Sequence, residues 1–473
     1  MSFCLARRGT RQIRYLVFSL ILASAFNKVP AQESARISAD LNGMATAPAM
    51  NESRVTASSL ALYFDPLQGE SSSDLVRRAL LSNGELSAAR LDIDRARARL
   101  RQAAVRPNPT VEVEQATGRL TGSSGERETS IELSLPLEIA GQRRRRIDVA
   151  QAQLEATEAE VAERERHLAA EVFAAYAEAL SALRELEITE GLNEIDLQTT
   201  RFVQARVNEG ESAPLELSLL QVEVDRLKSR RVLVEGRLQE TLLRLKNLAG
   251  IPFNEDLRLR DDLSTSQAQW PRPASLDAAI EIALRARPDL KLARLRLEVA
   301  HAGLSLARSQ AAPEVVASTK YIQSRSVFNE TPVGRISDRD KLLTFRLSIG
   351  IPVFNRNQGA KAEAALAISQ AERRREFLES VVRSEVASAY ARVEAVQKSL
   401  TTFDQGVIAR SNDNIRAIRA AYQIGEFKIT DLLAEQRRLL DSQREFTEAL
   451  AERYRAMADL RTAIGAPRTG NER

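Results

Sequence analysis

Nearly all of this chain is one pattern written twice. DLVRRALLSNGELSAARL at 74–91 returns as AAIEIALRARPDLKLARL at 278–295, and EVFAAYAEAL at 171–180 returns as EVASAYARVE at 385–394. ARVNEGESAPLELSLLQ at 205–221 reappears as AYQIGEFKITDLLAEQ at 421–436, and LRLKNLAGIP at 243–252 as MADLRTAIGAP at 457–467. The matched pairs keep their order and nearly their spacing. A period of roughly 200 residues makes this a two-copy array rather than a solenoid of short repeats. Whatever the first copy folds into, the second must fold into beside it.

Each copy has the same grammar. A helix of about 30 residues comes first, over 74–104 and 276–308. Two short segments of period-two alternation follow: TVEVEQ (110–115) with SIELSLPL (130–137), then EVVASTKYIQ (314–323) with LLTFRLSIGIPV (342–353). The alternation places Val111, Val113, Ile131, Leu133 and Leu135 on one face, as it does Phe345, Leu347 and Ile349. Glu112, Glu114, Glu132, Ser134, Arg346 and Ser348 take the other, which makes each pair an amphipathic hairpin. Helical stretches almost free of glycine and proline then cover 143–208 and 215–249, and again 358–423 and 428–464. At ~1.5 Å per residue the longer of each pair would run ~100 Å. Val161, Leu168, Val172, Ala175, Ala179, Leu183 and Leu186 recur at coiled-coil steps. The breaks NEGES (208–212) and IGEF (424–427) fold each pair into an antiparallel hairpin.

The N-terminus sets the compartment. Arg7, Arg8, Arg11 and Arg14 precede the apolar run YLVFSLILASA and the small-residue sequence VPAQ, the layout of an export signal over residues 1–31. That segment carries four arginines and Lys28 with no acid, so its removal lowers the formal charge of +4 by five, to −1. The basic balance belongs to the leader and gives no case for a nucleic-acid partner. The only cysteine, Cys4, lies in the leader as well, leaving the mature chain without disulfide or thiol chemistry. No later stretch is long and apolar enough for a spanning helix. The overall composition, 28% charged and 5% aromatic, suits helices with heavily solvated faces.

The pieces constrain the assembly. Four strands cannot close a spanning barrel, which takes about eight or more, and an open edge cannot sit in lipid. If the apolar strand faces meet lipid, several chains must pool their strands, two giving eight and three giving twelve. The alternative is a periplasmic coiled-coil adaptor or scaffold, but adaptors carry one helical hairpin and a lipoyl-like β domain, whereas this chain has two hairpins and no such domain.

The sequence resembles the TolC-type outer membrane efflux proteins, and within them the CzcC-like outer-membrane component of heavy-metal RND efflux systems. The resemblance covers about residues 73 to 467. It rests on Ala79, Leu80, Asn83, Glu85 and Leu86 at the first helix start, RPNP at 106–109, LPLEIAGQRR at 135–144, IPVFNRNQGAKAEA at 351–364 and AYQIGEFKITDLL at 421–433. It implies a mainly α fold with a small β part. Long antiparallel helical hairpins form a periplasmic tunnel, and four strands per chain contribute to a 12-stranded trimeric β-barrel. It further implies a homotrimer, a periplasmic adaptor and an inner-membrane RND pump as partners, no enzymatic activity, and heavy-metal cations (Co, Zn, Cd, Ni, or Cu and Ag) as cargo. An outlet for drugs or for type I secretion is the alternative within the family. The expected organisation is a signal peptide (1–31), an extended arm (32–72), a first repeat (73–253), a linker (254–275), a second repeat (276–467) and a short tail (468–473).

Site residues follow from the same resemblance. Gly210 and Glu211 at the first tip, with Tyr422, Gly425, Glu426 and Phe427 at the second, are expected to meet the adaptor. Asp431 matches an acidic position that narrows the tunnel, with Glu216 in the corresponding place of the first copy and Glu435 nearby; Ala434 stands where the family's second aspartate would fall. Val111, Val113, Ile131, Leu133, Phe345 and Leu347 should face lipid. No cofactor is implied, and no metal site either: the mature chain has only His167 and His301, far apart and without ligand spacing. The run Arg143, Arg144, Arg145, Arg146 opens a helix, where positive charge is locally unfavourable. Its place between strand and helix marks a membrane boundary, where arginines can reach the phosphates of outer-membrane lipids and Arg144 can pair with Asp148.

Overall fold

The computed structural model describes residues 59–120, 125–263, 272–328 and 336–465. The signal segment, residues 32–58 of the arm, the middle of the linker and the chain beyond 465 lie outside the described residues.

The first repeat opens with α1 (Ser72–Ser82) and α2 (Gly84–Ala103), continues through strands β1 (Thr110–Thr117) and β2 (Arg127–Leu137), and ends in α3 (Gln142–Asn208) and α4 (Pro214–Ala249). The second repeats the order as α5 (Leu276–Ala286), α6 (Pro288–Ser309), β3 (Glu314–Phe328), β4 (Ile336–Gly350), α7 (Gln358–Thr402), α8 (Ile408–Gln423) and α9 (Ile429–Ala463). All four strands form one antiparallel sheet in the order β1-β2-β3-β4, so the two repeats join through β2 and β3. The helices that feed the strands keep that order: α2 packs on α3, α3 on α6, and α6 on α7. A wall of strands therefore continues as a wall of helices.

Three helical expectations need correction. The opening helix of each copy is two helices, broken at Asn83 and at Arg287, both extended in backbone. Asn83 accepts from the Leu86 amide to start α2 while its Nδ2 donates to the Leu248 carbonyl at the end of α4. Arg287 precedes Pro288, which disfavours helix at the residue before it, and its guanidinium reaches the Ala463 carbonyl at the end of α9 at 3.1 Å. Both breaks thus satisfy carbonyls that a helix end leaves free. The third correction concerns 358–423, where a π-helical turn, Phe403–Val407, separates α7 from α8; α3 has no such interruption.

Part of the expected arm is folded. Residues 59–71 lie against the helices: Phe64 and Glu70 bridge to Leu259, and the buried Tyr176 hydroxyl donates to the Glu70 carbonyl at 3.1 Å while accepting from the Asp261 amide. The largest core gathers here, with Leu75, Tyr176, Leu186, Leu238, Leu245 and Leu259 fully enclosed. The seven coiled-coil positions named in α3 do face inward; six are buried and Leu168 is half-buried.

Gly250 ends α4 in the left-handed region at φ +66, where a Cβ would come within 2.5 Å of the Ser82 carbonyl oxygen. Gly303, inside α6, has open space at the same test. Gly250→Ala should therefore lower thermal stability by about 1–3 kcal/mol, while Gly303→Ala should raise it by up to about 1 kcal/mol. Thermal unfolding of the two variants separates the effects.

Candidate functional site: hairpin tips and membrane boundary

The sheet sorts its residues by strand parity. Val111 lies opposite Leu133, Val113 opposite Ile131, and Thr319 opposite Phe345, with Ala317 between Leu135 and Leu347. This face is apolar and outward, Phe345 being 77% exposed. The opposite face is charged and internally paired: Lys320 donates to Glu114 at 3.2 Å and Arg346 lies 3.8 Å from Glu132. No helix among the described residues is long and apolar enough to cross a membrane. Apolar exposure on such a scale belongs instead to the strands.

At the strand–helix boundary the arginine run divides. Arg143 Nε donates to the Ala104 carbonyl at 2.6 Å, and Arg146 reaches the Val105 carbonyl while forking onto Glu138. These two cap the end of α2. Asp148 is held by Arg145 at 3.3 Å, not by Arg144 as the helical spacing suggested. Arg144 is exposed and its guanidinium makes no hydrogen bond or ion pair among the described residues. In the second copy Asn357 alone does the capping, its Nδ2 donating to the Ala307 carbonyl at 2.8 Å.

Both hairpin tips use one turn. Gly210 (φ +78) donates to Val207 and Glu211 to Arg206; Gly425 (φ +83) donates to Tyr422 and Glu426 to Ala421. These are Schellman closures, in which a left-handed glycine satisfies the last carbonyls of the helix. Glu211, Glu426 and Phe427 are exposed at the turns, together with Ile424 at 72%, which sequence reasoning missed although it lies within the AYQIGEF motif. Tyr422 is buried behind them and its hydroxyl donates to Glu216 at 3.1 Å, tying the second tip to the first. Burial, and then Glu216, push the Tyr422 hydroxyl up to about 12.

The three acids expected near the tunnel's narrow end occupy different settings. Asp431 is exposed and accepts from the Lys428 amide at 3.1 Å at the start of α9. Glu216 answers Tyr422. Glu435 is only 5% exposed and pairs with Arg438 at 3.1 Å. Farther from the tips lies a network that the sequence did not announce. Asp196 of α3, 2% exposed, accepts from Gln436 of α9 at 2.7 Å, and Arg437 of α9 donates to Glu223 of α4 at 3.1 Å. Burial is the main reason the Asp196 carboxyl is pushed up to about 6; Glu223 adds to this, against Gln436 and Arg419. His167 rests on α3 2.9 Å from Glu163, and among the described residues no three His, Cys, Asp or Glu side chains come together to hold a metal ion.

Residues 75–251 and 279–466 match the model of the outer membrane efflux protein family. The chain belongs to that family. It is accordingly a channel of the outer membrane and not an enzyme. It is 23% identical to the cobalt-zinc-cadmium resistance protein CzcC of Cupriavidus metallidurans over 81% of this chain and 87% of that protein. It is 29% identical to the pyoverdine export outer membrane protein OpmQ of Pseudomonas putida over 59% of this chain and 56% of that one. Among solved structures, CusC superposes with a TM-score of 0.71 at 22% identity, covering 86% of this chain and 96% of that one. VceC of Vibrio cholerae gives 0.65 at 17% identity, covering 83% and 96%. The duplicated fold of paired helices and four strands is thus that of a known class of channel.

The Asp196 value fixes the sign of a pH effect. A free aspartate titrates near 3.9, so the folded chain holds this proton more tightly. The stabilisation is complete below about pH 4 and is lost as pH rises through about 6. Amide exchange in α3 and α9 around this contact should slow as pH falls from 7 to 5, after correction for intrinsic rates. Asp196→Asn should flatten that dependence; an unchanged slope would remove Asp196 as its source.

Proposed function

We propose that three copies of this chain close a twelve-stranded barrel and a helical tunnel, and that the trimer is the exit duct of an RND-type efflux system for heavy-metal cations. One observation carries the assembly. The four-stranded sheet has an outward apolar face and two open edges, β1 and β4, each bonded to only one neighbour. In lipid those edges need partners of the same kind, and a copy rotated about an axis offers β4 to β1 and so closes the ring. The paired charges of the other face then line a wet lumen.

Transport is driven by partners, an inner-membrane RND pump and a periplasmic adaptor, as the family membership suggests. The adaptor meets the hairpin tips at Glu211, Ile424, Glu426 and Phe427, with Gly210 and Gly425 setting the turns and Tyr422 bracing them from behind. Asp431 from three copies forms an acidic constriction that concentrates cations, while Glu216 and Glu435 hold the surrounding helices. The two repeats are taken as 73–253 and 276–467. Metal as the cargo rests on the likeness to CzcC, which extends over 87% of that protein. Drug efflux or type I secretion is the second reading, to which the likeness to OpmQ over a shorter span adds pyoverdine export.

Two measurements test this. Outer-membrane fractions should contain a species of trimer mass on gels that falls to monomer on heating; a purely soluble monomer would end the channel proposal. Deletion of the gene should lower tolerance of Co, Zn, Cd, Ni, Cu or Ag by several-fold. Sensitivity to drugs, or loss of pyoverdine export, with unchanged metal tolerance would reassign the cargo.

A further inference from the structure

The rim of the sheet nearest the long helices carries cations that have no side-chain partner among the described residues. Strand register places the start of β1, the end of β2, the start of β3 and the end of β4 at one end of the sheet, since Thr110 lies opposite Ser134, Leu137 opposite Val315 and Glu314 opposite Gly350. Four connections therefore converge there. Each brings one exposed arginine with no hydrogen bond from its guanidinium and no ion pair among the described residues: Arg106 before β1, Arg144 after β2, Arg308 before β3 and Arg356 after β4. The acids beside them are mostly engaged, Glu138 by Arg146 and Asp148 by Arg145, which leaves Glu314 at the start of β3. Within these four connections, four arginines without a side-chain partner thus accompany one such carboxylate.

The apolar parity of the sheet runs past the strands into this same rim. Leu137 is followed by Ile139, and Ile349 by Ile351, which is 76% exposed; Phe354, at 92%, stands two residues before Arg356. Exposed apolar and aromatic side chains bordered by cations are the pattern of a membrane–water interface, where the ring sits at headgroup depth and the arginine reaches phosphate.

We propose that Arg106, Arg144, Arg308 and Arg356, beneath Ile139, Ile351 and Phe354, form a binding surface for anionic phospholipid headgroups on the periplasmic side of the outer membrane. The occupant follows from charge complementarity and from continuity with the lipid-facing strands. The proposal rests on the outer-membrane placement and is independent of cargo and of the adaptor. It also divides the arginine run by role, with Arg143 and Arg146 held by α2 and Glu138 and Arg144 left for lipid.

The test uses the purified channel reconstituted in phosphatidylcholine nanodiscs with and without phosphatidylglycerol, lipid retention being read by native mass spectrometry and conductance in planar bilayers. The native channel should retain phosphatidylglycerol over phosphatidylcholine, and Arg144→Gln alone should weaken that preference about fivefold. The variant Arg106→Gln/Arg144→Gln/Arg308→Gln/Arg356→Gln should abolish it while conductance persists. Arg143→Gln/Arg146→Gln should melt earlier yet keep the preference. Retained preference in the fourfold variant would overturn the proposal, as would displacement of phosphatidylglycerol by inorganic phosphate at equal concentration, which would indicate a small-anion site. Absent conductance in the native protein would instead count against the channel reading.

Discussion

Backbone amides in lipid must be bonded, and the two outer edges of the sheet set that demand for the whole molecule. Each repeat alone would offer two strands and two open edges. Joining β2 to β3 in one chain removes two edges and leaves two, so the number of copies that must cooperate is halved. The helices inherit the arrangement because each strand runs directly into one, and α2, α3, α6 and α7 stand in the order of the strands above them. Closure of the sheet and closure of the tunnel are in this sense one event.

The two repeats keep their backbone geometry and change the chemistry that secures it. Asn83 and Arg287 occupy the same break, and each donates to a carbonyl at the end of the long helix of its own repeat, one with an amide and one with a guanidinium. The end of α2 takes Arg143 and Arg146, whereas the end of α6 takes the single Asn357. Glycine is retained where the left-handed region is required, at 210 and 425 and again at 250 and 465. The left-handed start of α3 and α7 changes from Gly141 to Asn357, a residue type that tolerates that region, and positions constrained only by a missing donor accept any side chain that can supply one.

This difference explains what was legible in the sequence. Strand faces could be read because period-two alternation depends only on adjacent residues, and the tips because glycine marks the left-handed turn. The lengths of the coiled-coil helices were visible from the lack of breakers. The helix breaks at Asn83 and Arg287 had local signals, an N-capping Asn before Gly84 and Pro288 after Arg287, but the carbonyls they satisfy, more than a hundred residues away, could not be read. The π-helical turn at Phe403–Val407 has no local signature beyond Gly406. Nothing in the residues around Asp196 marks it out, and only the approach of α9 makes it a buried acid. Arg144 appeared able to reach Asp148, but the i,i+3 geometry of Arg145 claims that carboxylate first.

The same division governs where the tunnel can yield. Around Tyr176 and Leu259 the chain encloses its largest apolar cluster, and each fully buried leucine there is worth about 1.5–3 kcal/mol. Toward the tips the shared cluster shrinks to Val203, Leu220, Ile415, Tyr422 and a few neighbours. The hairpins are joined there by polar contacts, Tyr422 to Glu216, Gln436 to Asp196 and Arg437 to Glu223. Such contacts contribute about 1 kcal/mol each on balance, because water replaces them when they part. Separating the tips consequently costs far less than separating the middle of the tunnel. For the exit duct proposed above, that gradient sets apolar packing along the middle of the tunnel and exchangeable hydrogen bonds at the end where cargo would enter.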